Sequence, residues 1–313
     1  MRFINAEQIA EALSWRELID GIGQAFREGV EAPPRHHHSM HREDGEATML
    51  LMPAWQERGY IGMKMVNVFP QNSAHGLPAI SGVYFLSEGK HGRPLACMDG
   101  SELTRRRTAA ASALASRELA RKDASSLLMV GTGKLGPMLI EAHAAVRPIT
   151  QVRIWGRNPD KAKALAEEYA DRYDTEIVTD LQTAASTADI ISCATLSTAP
   201  LIKGSWLKAG SHLDLVGAFK PTMRETDAAC FRRSEVFVDT YAGAKGEAGD
   251  LLQAADEGAF DFSDIRSDLA QLLKGERPGR SSDEAITVFK SVGASLEDLA
   301  AAIQVWQSVG GDS

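Results

Sequence analysis

The 313-residue chain carries a net charge of -8 at pH 7 and is 44% hydrophobic. That balance excludes the broad Lys and Arg footprint that nucleic acid or an anionic membrane requires. The length exceeds the roughly 250–300 residues at which single cores stop growing, so two domains are expected, residues 1–115 with 295–313 and residues 116–294. No run approaches about 18 consecutive apolar residues, and the first residues are amphipathic and acid-bearing where a signal peptide would be apolar. The expectation is a cytoplasmic protein with neither membrane nor nucleic-acid partners.

In chain order, apolar residues at helical spacing (Ile9, Leu13, Leu18, Ile22, Phe26) predict one or two helices over Ala6–Gly29, with Ser14 as an internal cap. After Pro33-Pro34, short apolar or alternating runs at Thr48–Pro53, Tyr60–Phe69, Ile80–Ser87 and Pro94–Met98 predict a sheet of hairpin-like pieces. The Ala-rich stretch Ser101–Ala124 predicts a helix. Strands then alternate with helices: strands at Leu127–Val130, Val152–Trp155, Glu176–Val178, Ile190–Cys193, Leu213–Val216 and Val236–Val238, helices at Pro137–Ala145, Asp160–Tyr173 and Leu181–Thr187. Such alternation predicts a doubly wound parallel sheet, so the fold class is α/β, a Rossmann sheet beside an α+β domain. A last amphipathic helix, Ser295–Val305, is expected to return to the first domain. Cys97, Cys193 and Cys230 are widely spaced without CxxC and read as buried thiols.

Gly131-Thr132-Gly133-Lys134-Leu135-Gly136 matches GxGxxG. The motif alone is weak; between an apolar strand and a helix, with a second strand ending about twenty residues on, it points to a dinucleotide. Gly131 permits the turn, Gly133 lets backbone N–H groups approach the pyrophosphate, and Gly136 allows close helix packing. After the second strand, where Asp or Glu would hold a free ribose 2′-hydroxyl, the chain reads Gly156-Arg157-Asn158-Pro159-Asp160-Lys161. Arg157, Asn158 and Lys161 offer two cations and a donor to a 2′-phosphate, so NADPH is the preferred cofactor, with NADH as the other.

Further stretches carry a resemblance: Gly62-Met63-Lys64-Met65-Val66, Leu103–Ala110 with its Arg105-Arg106-Arg107-Thr108, Val152–Arg157, Val216-Gly217-Ala218, Arg224-Glu225-Thr226-Asp227 and Thr287–Gly293. Together, over nearly the whole chain, they resemble the ornithine cyclodeaminase and mu-crystallin family. The resemblance implies a homodimer whose first domain binds substrate and dimerises, with an active site in the cleft between domains. It implies that Arg35 meets a substrate carboxylate, that Lys64 is the active-site lysine, and that Arg107 and Thr108 lie near cofactor and substrate. Thr195, Ser81 and Ser291 match positions near the cofactor, although a backbone hydrogen bond explains each equally well.

Cyclodeaminating members carry an acid in a GGD-like sequence, where this chain reads Gly217-Ala218-Phe219-Lys220-Pro221. An aromatic ring exchanges no proton. The stretch resembles bacterial reductases of Δ1-pyrroline-2-carboxylate and Δ1-piperideine-2-carboxylate, which form L-proline and L-pipecolate, and a flat cyclic imino acid would suit Phe219 with Met52 or Met65. Arg35, Lys64 and Arg107 would orient the substrate. The competing readings are an alanine-type amino-acid dehydrogenase or a cyclodeaminase using another acid such as Asp214, and a non-catalytic binder that keeps NADPH as structure. His36-His37-His38 and His41 read as a structural or substrate-side loop, because consecutive extended residues point to opposite faces and rarely share one metal. His75 and His91 lie in turn-like sequence.

Overall fold

The computed structural model describes residues 1–43 and 45–310. The chain divides into two compact units, one formed by Met1–Thr108 with the chain from Ala294 onward, the other by Ala109–Gly293.

The first unit contains β1 (Arg2–Ile4), α1 (Ala6–Ala12), α2 (Trp15–Glu28), β2 (His36–Arg42), β3 (Gly45–Trp55), β4 (Tyr60–Val68), β5 (Ile80–Glu88) and β6 (Pro94–Asp99). The expected helical stretch is therefore two helices. Asn5 and Gln8 close a capping box on α1, and Leu13 leaves helical geometry. Ser14 precedes α2 as expected, but its hydroxyl donates to Glu17 Oε2 at 2.6 Å and accepts no backbone N–H of the helix. The strands form one sheet in the order β1-β6-β5-β4-β3-β2, antiparallel except for β1 on β6.

Two strands depart from expectation. β1 is three residues long, too short to display a period. The histidine segment is not a loop but the edge strand β2, its ladder running from His36 opposite Leu51 to Arg42 opposite Gly45; the polar side chains hide a strand whose pairing is supplied by β3.

One face of this sheet packs on the carboxy-terminal helix Ser295–Ser308, whose Leu299 is buried. Across β3, β4 and β5 the residues Met52, Lys64 and Tyr84 stand directly opposite one another on that face. Met65 follows Lys64 and so belongs to the other face, beside Leu51 and Val83. Of the two methionines considered for a substrate pocket, only Met52 shares the Lys64 face.

α3 (Gly100–Leu119) crosses the boundary between the units and ends five residues before Ala124. Its terminal carbonyls are met by cations: Arg147 donates to Arg117 O at 2.6 Å and Ala120 O at 2.8 Å, and Arg280 to Leu119 O at 2.6 Å.

The second unit contains β7 (Ser126–Val130), α4 (Leu135–Val146), β8 (Gln151–Trp155), α5 (Pro159–Tyr169), β9 (Asp174–Ile177), α6 (Leu181–Thr187), β10 (Ile190–Cys193), β11 (His212–Leu215), α7 (Ala229–Arg232), β12 (Glu235–Val238), α8 (Tyr241–Glu247), α9 (Gly249–Asp256), β13 (Ile265–Asp268), α10 (Leu269–Leu273) and β14 (Thr287–Lys290). All eight strands are parallel, in the order β13-β12-β14-β11-β10-β7-β8-β9. From β7 the chain winds outward through β8 and β9, then returns to β10 on the other side, so the topological switch point lies between β7 and β10, where such sheets bind ligands at their carboxyl ends. β13 and β14 had no clear sequence signal. Each is four residues long and polar at one or both ends, and their burial comes from neighbours supplied elsewhere in the chain.

Candidate active site

Each glycine of the loop between β7 and α4 answers to a different constraint. Gly131 has φ +124°, and a Cβ there would stand 2.6 Å from Ala194 O. A Cβ on Gly136 would meet Gly131 O at 3.0 Å. Gly133 is exposed, and a Cβ on it would meet nothing within 4 Å. Protein packing thus dictates the first and third glycines, whereas open space stands beside the second, where a pyrophosphate would need backbone access. That pattern fits a dinucleotide. Thr132 is half-buried and leaves no room for a Cβ at Gly156, 2.7 Å from its methyl; Lys134 is exposed at the start of α4, and Leu135 is the first helical residue.

Arg157 and Lys161 are exposed just past β8. Asn158 caps α5, its side-chain oxygen accepting from Asp160 N at 2.9 Å and Lys161 N at 3.2 Å; only its amide nitrogen remains to serve as the expected donor. Thr195 is engaged internally, its N–H and hydroxyl both donating to Glu225 Oε1, at 2.6 and 2.7 Å. Ser291 is buried and donates its N–H to Leu215 O at 3.2 Å. Phe219 is half-buried and follows Ala218, a non-glycine residue in the left-handed region at φ +51°.

In the first unit, Lys64 and Arg107 are only 2% and 5% exposed. Lys64 Nζ donates to Asp298 Oδ2 at 2.7 Å, Arg107 Nε to Asp298 Oδ1 at 2.9 Å, and Arg107 also donates to Glu297 Oε2 at 2.6 Å. Both acids lie in the first turn of the carboxy-terminal helix, where the helix dipole favours negative charge. Two buried cations and two buried carboxylates cancel. Arg35, half-buried, adds a positive field at Lys64. Burial chiefly brings the Lys64 ammonium down to about 8; Asp298 opposes the fall while Arg107 and Arg35 deepen it. Burial acts against the Arg107 charge too, but Asp298 and Glu297 outweigh it and hold that guanidinium above its ordinary range. Tyr84 is pushed up by burial and by Asp298, and among the described residues its hydroxyl has no hydrogen-bond partner. Thr108 is half-buried one position beyond Arg107.

Glu297, Asp298 and Tyr84 were not singled out by sequence. The acidic pair reads as ordinary helix-start acids, and Tyr84 as a strand aromatic. Asp214, considered as a substitute acid, is fully buried in β11, accepting from Ser192 Oγ at 2.6 Å and facing His143 Nε2 at 3.2 Å. It lies in the sheet interior with no exposed surface.

The parallel sheet and its glycine loop define a dinucleotide-binding protein of the doubly wound α/β class. The chain belongs to the Ornithine cyclodeaminase/mu-crystallin family, whose profile matches residues 2–313. It is 42% identical to Protein SAR DEFICIENT 4 of Arabidopsis thaliana, over 95% of this chain and 94% of that one. It is 38% identical to a Delta(1)-pyrroline-2-carboxylate reductase of Colwellia psychrerythraea, over 97% of this chain and 98% of that one. The structure of the Thermococcus litoralis Delta(1)-pyrroline-2-carboxylate reductase in complex with NADH and L-proline superposes with a TM-score of 0.92 at 30% identity, covering 99% of this chain and 97% of that one.

Proposed function

We propose that this protein reduces cyclic ketimine carboxylates, Δ1-pyrroline-2-carboxylate to L-proline and Δ1-piperideine-2-carboxylate to L-pipecolate, using NADPH in preference to NADH. It is an NAD(P)H-dependent oxidoreductase acting on C=N bonds. The observation that carries the substrate reading is the buried Lys64–Asp298–Arg107–Glu297 group, charge-balanced in itself and joined by Arg35, combined with a 217–221 segment that bears no acid. The Colwellia relative and the Thermococcus complex with NADH and L-proline support the same class of chemistry.

When bound at the glycine loop of Gly131, Gly133 and Gly136, a reduced nicotinamide would supply the hydride that C2 of the protonated imine takes up. The protein holds the substrate. A carboxylate would add one negative charge for Arg35 and Arg107 to accept, a planar guanidinium fixing its orientation. Lys64, brought down to about 8, keeps its proton at neutral pH and is poised to maintain the imine nitrogen in its protonated, electrophilic form. Phe219 would pack on the ring, and no carboxylate at that position draws a proton from an amine.

The assay is oxidation of NADPH, then NADH, with pyrroline-2-carboxylate, piperideine-2-carboxylate, pyruvate plus ammonia, and L-ornithine offered in turn. Fast oxidation with the cyclic imines is expected. Proline and ammonia formed from ornithine without any imine reduction would contradict the reading.

We also propose a homodimer through the sheet face opposite Lys64. Pro53, Met63, Phe85, Cys97 and Phe3 form one apolar row across five strands, and Phe3 is 74% exposed. A row of that kind marks an interaction surface. Met63→Glu should yield monomers in light scattering; an unchanged mass would count against this interface.

A further inference from the structure

We propose that Glu225 is a positioning residue for the dinucleotide, tying Thr195 and Gly217 together at the carboxyl ends of β10 and β11 and setting, by its own proton, which way the Thr195 hydroxyl is donated. The inference rests on the dinucleotide reading above.

Glu225 is fully buried. Its Oε1 accepts both the N–H and the hydroxyl of Thr195, at 2.6 and 2.7 Å. The methyl of Thr195 would stand 3.3 Å from a Cβ on Gly131, so this threonine borders the glycine loop. A Cβ on Gly217 would lie 2.5 Å from the same Glu225 oxygen, so the end of β11 can lie over the carboxyl group only as glycine. From the other side Lys290 Nζ donates to Gly217 O and, at 3.2 Å, to Leu215 O. One buried carboxyl group thereby links the three strand ends β7, β10 and β11, where the sheet's topology places its ligand.

The charges around Glu225 do not balance. Asp250 on α9 accepts from the N–H groups of Glu225 and Thr226, at 2.7 and 2.9 Å, while its other oxygen lies 3.6 Å from Lys290 Nζ on β14. Cys193 on β10 faces the same acids. Asp239, past β12, also draws on Lys290 while accepting N–H groups from Thr240, Val292 and Gly293. Neighbouring Arg224 is paired with Glu257. One buried ammonium thus answers more than one carboxylate, and the second oxygen of Glu225 has no hydrogen-bond partner among the described residues. A proton on Glu225 relieves the imbalance; burial first, and Asp250 second, raise this carboxyl to about 7 against the pull of Lys290 and Thr195.

The proton matters for Thr195, whose hydroxyl has one hydrogen to give. Facing an ionised Glu225, it gives that hydrogen inward. With the proton on Oε1, the neutral acid donates to Thr195 Oγ1, which also accepts the Ser197 N–H at 3.2 Å, and the threonine hydrogen becomes available to an acceptor on the dinucleotide. A neutral Glu225 also removes a buried negative charge from beneath an anionic cofactor.

The test is NADH binding to the full-length protein by fluorescence titration between pH 5.5 and 9, NADH being chosen because it lacks the titrating 2′-phosphate. Wild-type affinity is expected to fall about fivefold, the worth of one hydrogen bond, as pH rises through neutrality. Glu225→Gln, whose amide stands for the neutral acid, should keep the low-pH affinity throughout. Thr195→Val should be weak at every pH, and Thr195→Ser should restore binding. A pH-independent wild type, a Glu225→Gln protein that retains the wild-type pH profile, or a Thr195→Val protein that binds NADH normally would each overturn the proposal. If Glu225→Gln does not fold, the two threonine variants decide. No NADH binding by the wild type at any pH would instead remove the dinucleotide reading itself.

Discussion

The glycine loop of the parallel-sheet unit and the Lys64 group of the mixed-sheet unit are both suited to anions, with different materials. The loop works through backbone: six consecutive residues, two glycines fixed by packing and one left open, with no buried charge in the motif. The Lys64 group works through side chains, two cations buried on two carboxylates, the Lys64–Asp298 contact spanning 234 residues of sequence. A backbone site depends on local geometry and should fail locally. A buried charge group depends on its partners, since a stranded ion in a low-dielectric interior is costly.

The largest effect should follow from removing the carboxylate that Lys64 and Arg107 share. Asp298→Ala is expected to lower stability by about 3–5 kcal/mol in urea denaturation, and to lower kcat/KM for imine reduction by at least ~100-fold through lost orientation. The milder Asp298→Asn tests the electrostatics. Asp298 raises the Lys64 value, so its loss must move the alkaline fall in activity from about 8 to lower pH; an unmoved limb would mean that Lys64 carries no proton of consequence.

Next comes acid sensitivity, for which the parallel-sheet unit holds one histidine buried and neutral. Burial brings His212 down to about 3 despite nearby Asp214. Its folded value lies below the unfolded value of roughly 6.5, so its contribution to stability is intact above that pH and is lost as pH falls toward 3, at up to about 1.4 kcal/mol per unit. His212→Asn should flatten the stability difference between pH 7 and pH 5; an identical slope would place the sensitivity elsewhere.

The two glycines at the start of the loop sharpen the contrast within one motif. Gly131→Ala should cost about 1–3 kcal/mol and reduce dinucleotide binding, because the side chain meets Ala194 O in an unfavourable backbone region. Gly133→Ala should leave the melting temperature of the free protein within error while weakening dinucleotide binding about tenfold. Equal losses of stability in both variants would break the distinction. The smallest effect is one of selectivity: Arg157→Asp should weaken NADPH binding ~10- to 100-fold, as expected for charge-assisted hydrogen bonds, and leave NADH little changed. Parallel losses for both would remove Arg157 from the 2′-phosphate.

The same contrast explains what was legible in the sequence. The loop was readable because Gly131, Gly133 and Gly136 act within one turn and their spacing is the geometry. Lys64 and Arg107 were readable only through resemblance, since a lysine within an apolar strand has no local explanation. Glu297 and Asp298 were hidden by a sufficient local reason, acids in the first turn of a helix. Glu225 was hidden similarly, in a stretch noticed for its resemblance but with no feature showing that its carboxyl group would meet Thr195, 30 residues away. The strand β2 was missed because its polar residues carry no alternation, and β14 because its apolar Val288-Phe289 pair is bounded by the polar Thr287 and Lys290.

The most direct test of the central claim follows the hydride. Δ1-Pyrroline-2-carboxylate should be reduced with NADPH bearing deuterium at the transferring C4 position, and the product analysed by mass spectrometry and proton NMR. L-proline one mass unit heavier, with deuterium at C2, is the expected outcome. Unlabelled proline, or oxidation of the nucleotide with the imine left intact, would contradict it.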